Sequence, residues 1–174
     1  MPIEPRRQGV PVTPERQLVL FGVGSVVYGL PIERVREVVN PMDIIPLPHA
    51  PSSVIGVTDH RGEVVPVIDL RTRFGLPGNP DPDALRRRKW IMVDLGDQAT
   101  PRPIAAVVDT VHNVYMTREA LRPAPPLGGG EDTRGILGVL GRGKESADGM
   151  MIFVLDLGRL RALIEPLDIP QGPL

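Results

Sequence analysis

The sequence predicts a mainly β protein: two small β barrels of about five short strands each, packed together, with short helices that end in an amphipathic one. Three observations predict it. First, 21 prolines and 19 glycines interrupt 174 residues. That is too many for a helical bundle, because each breaks helical hydrogen bonding or adds backbone entropy inside a helix. Second, the apolar runs are short, rich in β-branched residues and bounded by Pro, Gly and Asp turn signals. Third, the two halves carry a weak internal repeat. Ile32 to Val38 matches Val108 to Val114, Gly56-Val57 matches Gly138-Val139, and Val67 to Leu70 matches Val154 to Leu157, at offsets of 76, 82 and 87 that rise in order as loop insertions require.

Taken in order, residues Met1 to Pro14 hold Pro2, Pro5, Pro11 and Pro14 with few large apolar groups, an extended and flexible lead-in over 1–15. Gln17 to Val23 and Val26 to Leu30 are β-rich runs joined at Gly24-Ser25, a hairpin whose turn glycine relieves. Pro31 then suits the first turn of a short helical segment in which Ile32, Val35 and Val38 recur every third residue before the chain runs into a strand. Pro41, Pro46, Pro48 and Pro51 make the next segment a loop. Val54 to Leu76 follows, an Arg61-Gly62 turn between two strands with a basic, helix-like tail, and Pro77 to Asp83 reads as a hydrophilic linker.

Beyond the linker, Trp90 to Leu95, Ile104 to Asp109 and Val111 to Met116 read as strands. Pro123 to Gly130 is a loop, and Arg134 to Leu140 with Met150 to Leu155 form two more strands around the polar tip from Gly141 to Gly149. Asp156 stands where an N-cap would, and Leu157, Leu160, Leu163 and Ile164 share one helical face. Residues 167–174 are a tail.

Composition narrows function. Twenty Lys and Arg against 21 Asp and Glu give no global field for polyanions, so electrostatic recognition must be local. Absence of cysteine removes thiolate catalysis, disulfides and Cys-based zinc sites together. No run approaches the ~20 apolar residues of a membrane span, and no apolar leader opens the chain, so a cytoplasmic protein is expected. His49, His60 and His112 are scattered without metal-ligand spacing. Asp59 beside His60 could orient an imidazole for acid/base chemistry, but no serine or cysteine motif accompanies the pair, and a solvated turn is the plainer reading. Arg86, Arg87, Arg88 and Lys89 could touch phosphates, which keeps a nucleic-acid-binding small barrel as the alternative function; a solubilising flank that protects the edge of the strand opening at Trp90 is the favoured account of that run. No cofactor, metal or catalytic residue is expected.

The block from Gly56 to Leu76, GVTDHRGEVVPVIDLRTRFGL, resembles the signature segment of the CheW-like coupling-protein family of bacterial chemotaxis, where a strand leads through Asn-Leu-Arg-Gly to a Pro-Val-x-Asp-Leu strand. Tyr28 to Val38 resembles the family's early segment, and Val107-Val108-Asp109 with Pro125 to Gly129 resembles its second half. The resemblance covers residues 16–166 and implies two SH3-like barrels, about 16–80 and 85–166, with terminal strands open to exchange between them. It implies no enzymatic activity, but an adaptor that joins the cytoplasmic tip of a chemoreceptor to the regulatory domain of a CheA-type histidine kinase. Carried over residue by residue, it places Arg61 at the family's key arginine and Val35 and Glu37 on its partner-contacting segment, with Gly62 permitting close approach. The chain departs from the pattern at Asp59 and His60: Asp59 is expected to pair with Arg61 in the free protein, and His60 to make the contact pH-sensitive.

Overall fold

The computed structural model describes residues 13–78, 82–124, 135–141, 150–167 and 169. The lead-in to residue 12, the loop from 125 and the tip from 142 to 149 lie outside the described residues. Ten strands and three helices follow in the order β1 (Arg16–Val23), β2 (Val26–Pro31), a 3-10 turn (Ile32–Arg34), β3 (Val35–Val39), β4 (Val54–His60), β5 (Glu63–Asp69), α1 (Leu70–Arg73), α2 (Pro82–Arg87), β6 (Lys89–Asp94), β7 (Pro103–Val108), β8 (Thr110–Thr117), β9 (Ile136–Leu140), β10 (Ile152–Leu155) and α3 (Leu157–Ile164).

Local chemistry accounts for most boundaries. Gly24 takes φ +60° in the β1–β2 turn, a conformation open to a residue without Cβ. Asp69 and Asp156 each cap the helix that follows, accepting from the amides of Arg71 and Gly158. The linker expected over Pro77 to Asp83 is shorter than the sequence suggested, because Pro82 opens α2. Its fixed φ suits a first helical turn, and Asp83 at the start with Arg86 and Arg87 at the end complement the helix dipole.

The strands form two five-stranded sheets, ordered β8-β1-β2-β10-β9 and β3-β6-β7-β5-β4. Their pairings correspond one for one. In each sheet the central hairpin is antiparallel, one of its strands runs parallel to a strand that leads into a capped helix, and the outer pairs are antiparallel. The equivalences are β1 with β6, β2 with β7, β3 with β8, β4 with β9 and β5 with β10. All three repeat matches fall on equivalent elements, and two isolated bridges, Ile45 to Val57 and Arg122 to Val139, repeat the correspondence. Each repeat unit contributes its first hairpin to one sheet and its last three strands to the other, so each sheet draws on both repeat units.

Alternation within the strands builds three cores. Trp90 and Met92 point into a cluster with Val65, Val67, Ala105 and Val107 inside one sheet. Leu18, Leu20, Leu140, Ile152 and Val154 fill the other. The residues between them, among them Phe21, Leu30, Ile91, Val93, Ile104 and Phe153, face the shared core that joins the sheets, where Leu160 and Ile164 of α3 also pack. Strands buried on both faces read as unbroken apolar runs, which is why no clean polar alternation marks them in the sequence.

Asp109 stands where the chain leaves one sheet for the other, between β7 and β8. Its Oδ2 accepts from the Gly24 amide at 2.7 Å and from Arg71, while Oδ1 faces Arg88 Nε at 3.3 Å. Arg88 also reaches Asp69 at 3.3 Å, and its side chain is only 12% exposed. The basic run is therefore split: Arg86 and Arg87 are exposed, as a solubilising flank would be, whereas Arg88 is drawn inward by two carboxylates and Lys89 Nζ donates to Asn40 at 2.6 Å. Asp109→Ala would leave two partly buried guanidiniums and a backbone amide short of an acceptor, and is expected to lower stability by about 2–3 kcal/mol. Arg86→Ala, whose ion pair with Asp83 is exposed and 3.8 Å long, should cost under about 0.5 kcal/mol. Urea unfolding of the two variants checks the contrast, and equal losses would remove Asp109 from the centre of the fold.

Candidate functional site

The β4–β5 turn is a two-residue hairpin, with His60 and Glu63 paired and Arg61 and Gly62 at its tip. Arg61 has φ +56° and Gly62 φ +79°. Positive φ at both central residues is the type I′ geometry whose twist matches that of paired strands; glycine adopts it freely, whereas an arginine is uncommon there. Asp59 Oδ1 accepts from the Gly62 amide at 2.9 Å and braces the turn. The turn thus holds Arg61 outward, with its side chain 76% exposed.

The guanidinium does not pair with Asp59 as expected, because that carboxylate is engaged by the Gly62 amide. Arg61 Nη2 instead donates to Glu37 Oε2 at 3.1 Å, and His60 Nε2 lies 2.8 Å from Glu37 Oε1. Glu37 comes from β3 and His60 from β4, the two outermost strands of one sheet. The sheet therefore curls until its edges meet, and side chains close the seam. Arg36, also on β3, adds Asp94 at 2.7 Å and Glu63 at 3.7 Å.

These charged residues rim a cleft of about 310 Å³ whose floor is Val65, Met92 and Pro103. The hydrogen bond with His60 is the main reason that the Glu37 carboxyl is held below its ordinary range; partial desolvation opposes this, and the charges of Arg61 and His60 reinforce it. For Asp94, desolvation works against the charged form but is outweighed by the amides of Arg102 and Gly96 and by Arg36, which hold the carboxyl low.

Of the residues singled out from the sequence, Arg61, Glu37 and His60 come together on one face, with Asp59 and Gly62 forming the turn beneath them. Val35 is placed differently. It is half-buried and packs against the shared core, so it supports the face from behind. Arg36, Glu63 and Met92 were not singled out; a register shift between Val35 and Glu37 interrupts the period-2 alternation of β3, so strand pattern alone does not place Arg36 beside Glu37 on the cleft. Asp59 and His60 form no acid/base pair, since each is bonded elsewhere. Among the described residues no three His, Asp or Glu side chains gather to hold a metal, and no helix is long and apolar enough to cross a membrane.

Comparison with known proteins agrees with this architecture. Residues 17–165 match the family model described as CheW-like domain. The protein FrzA of Myxococcus xanthus is 37% identical over 154 residues, covering 86% of this chain and 91% of its own. A probable chemotaxis protein CheW of Rhizobium etli is 29% identical over 147 residues, 84% of this chain and 87% of its own. The crystal structure of the scaffolding protein TtCheW from Thermoanaerobacter tengcongensis superposes with a TM-score of 0.64 at 30% identity, covering 80% of this chain and 88% of that one. The two five-stranded sheets are the two SH3-like subdomains of that fold.

A carboxyl held low in the folded state favours folding above its ordinary pKa of 4.5, and that contribution disappears as pH falls through the lowered folded value. Wild type should therefore be more stable than Glu37→Gln at pH 7, with the gap closing as pH falls through the lowered folded value. Thermal melts across that range check it, and a gap that widens on acidification would reverse the sign.

Proposed function

The chain belongs to the CheW-like domain family of chemotaxis scaffold proteins, and on that premise we propose that it is a non-enzymatic adaptor coupling chemoreceptors to a CheA-type histidine kinase in the cytoplasm. The observation that carries this reading is the exposed Arg61, presented on a braced two-residue turn beside the Glu37 seam. A planar fork of donors suits a carboxylate or a backbone carbonyl on a helical partner, and the turn fixes its backbone before any partner arrives, which reduces the ordering cost of binding.

Other features of the face fit an interaction surface better than an active site. The cleft is shallow and rimmed by mutually paired charges, with a small apolar floor that could seat one partner side chain. Among the described residues the hydrogen-bond partner of the His60 ring is the Glu37 carboxylate, not a serine or threonine hydroxyl. The nucleic-acid alternative gains little from the basic run, because Arg88 and Lys89 are turned to partners within the chain and only Arg86 and Arg87 of the four are exposed.

Arg61→Ala should leave the fold intact, since an exposed ion pair contributes little to stability, and should weaken binding to the kinase regulatory domain or to the receptor tip by ~2 kcal/mol if the residue lies at an interface centre. Calorimetric titration against each partner, with a thermal melt of the variant, reads both effects. Failure of the wild-type chain to bind either partner at high micromolar concentration would refute the adaptor role, and unfolding of the variant would make Arg61 structural.

A further inference from the structure

His60 stands where the family pattern has an apolar residue, and it is the less exposed of the two partners that hold Glu37, at 16% against 76% for Arg61. The two partners take different oxygens of one carboxylate, so what one supplies bears on what the other is needed for. We propose that His60 couples partner binding at Arg61 to uptake of a proton, so that an acidic segment of a partner binds this face more tightly as pH falls from 8 to 6. The inference rests on the reading of this face as the contact surface.

The coupling follows from where charge is left when Arg61 moves. With His60 neutral, the ring donates one hydrogen bond to Glu37 and Arg61 is the formal positive charge beside that carboxylate. Turning the guanidinium toward a partner's carboxylate then strands the negative charge of Glu37. With His60 protonated, an imidazolium remains at 2.8 Å, Glu37 stays compensated, and Arg61 is released at lower cost. The partner-bound state therefore favours the protonated ring, and by linkage the protonated ring favours the partner.

The other charged groups around His60 are already committed. Arg36 on β3 is paired with Asp94 of β6 and lies 3.7 Å from Glu63 of β5. Asp59 at the end of β4 is bonded to the Gly62 amide. Among the groups named here His60 is the one imidazole, the side-chain type whose ordinary range falls between those of carboxylates and guanidiniums. The low-held carboxyl of Glu37 keeps that residue ionised throughout. Residue 60 thereby sets how readily Arg61 is exchanged from Glu37 to a partner.

Calorimetric titration of the full chain against the cognate kinase regulatory domain and against a receptor cytoplasmic-tip fragment, at pH 6 and pH 8 in two buffers of different ionisation enthalpy, tests this. Wild type should bind at least one partner about three- to tenfold more tightly at pH 6, with proton uptake of at most one, because a single site cannot change affinity by more than about tenfold per pH unit. His60→Leu should bind with an affinity nearly independent of pH. An identical pH slope in wild type and His60→Leu would overturn the coupling while leaving the contact surface in place. Wild-type affinity in Arg61→Ala at pH 8 would overturn the contact surface itself, and the coupling with it.

Discussion

The carboxylate of Asp109 is the constraint on which the arrangement of the two sheets depends. It sits at the residue where the chain crosses from the second sheet to the first, and it collects an amide from the tip of the β1–β2 hairpin and guanidiniums from α1 and from the start of β6. Asp109 N also donates to Gly22 O at 3.0 Å, so both backbone and side chain fasten the crossover to that hairpin. The opposite crossover, through the 3-10 turn between β2 and β3, is fastened in the same sense but with reversed chemistry: Arg34 donates to the carbonyl of Gly96, at the end of the β6–β7 hairpin. Each crossing is thus tied to the other unit's hairpin. Apolar burial in the shared core supplies the driving force, while these polar ties fix which hairpin packs where.

The strand order within a sheet has a consequence for the surface. It puts β3 and β4, neighbours in sequence, at opposite edges of one sheet. When that sheet curls, its edges meet without a ladder hydrogen bond between them, and side chains must close the gap. Glu37, His60, Arg61, Arg36 and Glu63 do so. A seam closed by exposed charges protects edge strands from unwanted pairing. It is also easier to open than a backbone ladder, since each of its ion pairs is partly solvated and individually weak. The same charges that guard the edge are thereby available to a partner.

The sequence made some of this visible and hid the rest for physical reasons. The turn at Arg61-Gly62, the hairpin at Gly24-Ser25, the Pro31 turn and the Asp156 cap are local signals, legible because the residues that cause each feature lie within a few positions of it. The repeat was legible too, as three matched segments. The exchange of hairpins was left open, because the same strands in the same order satisfy either arrangement, and only long-range pairing decides between them. Arg88 and Glu37 were misread or only partly read for the same reason: the partners of Arg88 lie 19 and 21 residues away, and those of Glu37 lie 23 and 24 away. The short helix α2 was hidden differently, its Pro82 and Asp83 being turn formers in a linker and equally good openers of a helix.

The two departures from the family's Asn-Leu-Arg-Gly pattern now separate into unlike cases. Asp59 replaces an asparagine whose side-chain oxygen could accept the same Gly62 amide, so the bracing of the turn needs only the acceptor that both residues carry. The added charge lies on the side of the turn that bonds to the backbone, while Arg61 looks to Glu37. His60 stands where the pattern has an apolar side chain, with a ring that bonds to Glu37 directly, and so adds a second partner to the carboxylate that holds Arg61. The first change preserves a geometry and the second adds a contact. What sets the chemistry of this face apart from the family pattern is therefore concentrated in the residue one position before the arginine, acting through a carboxylate from the opposite edge of the sheet.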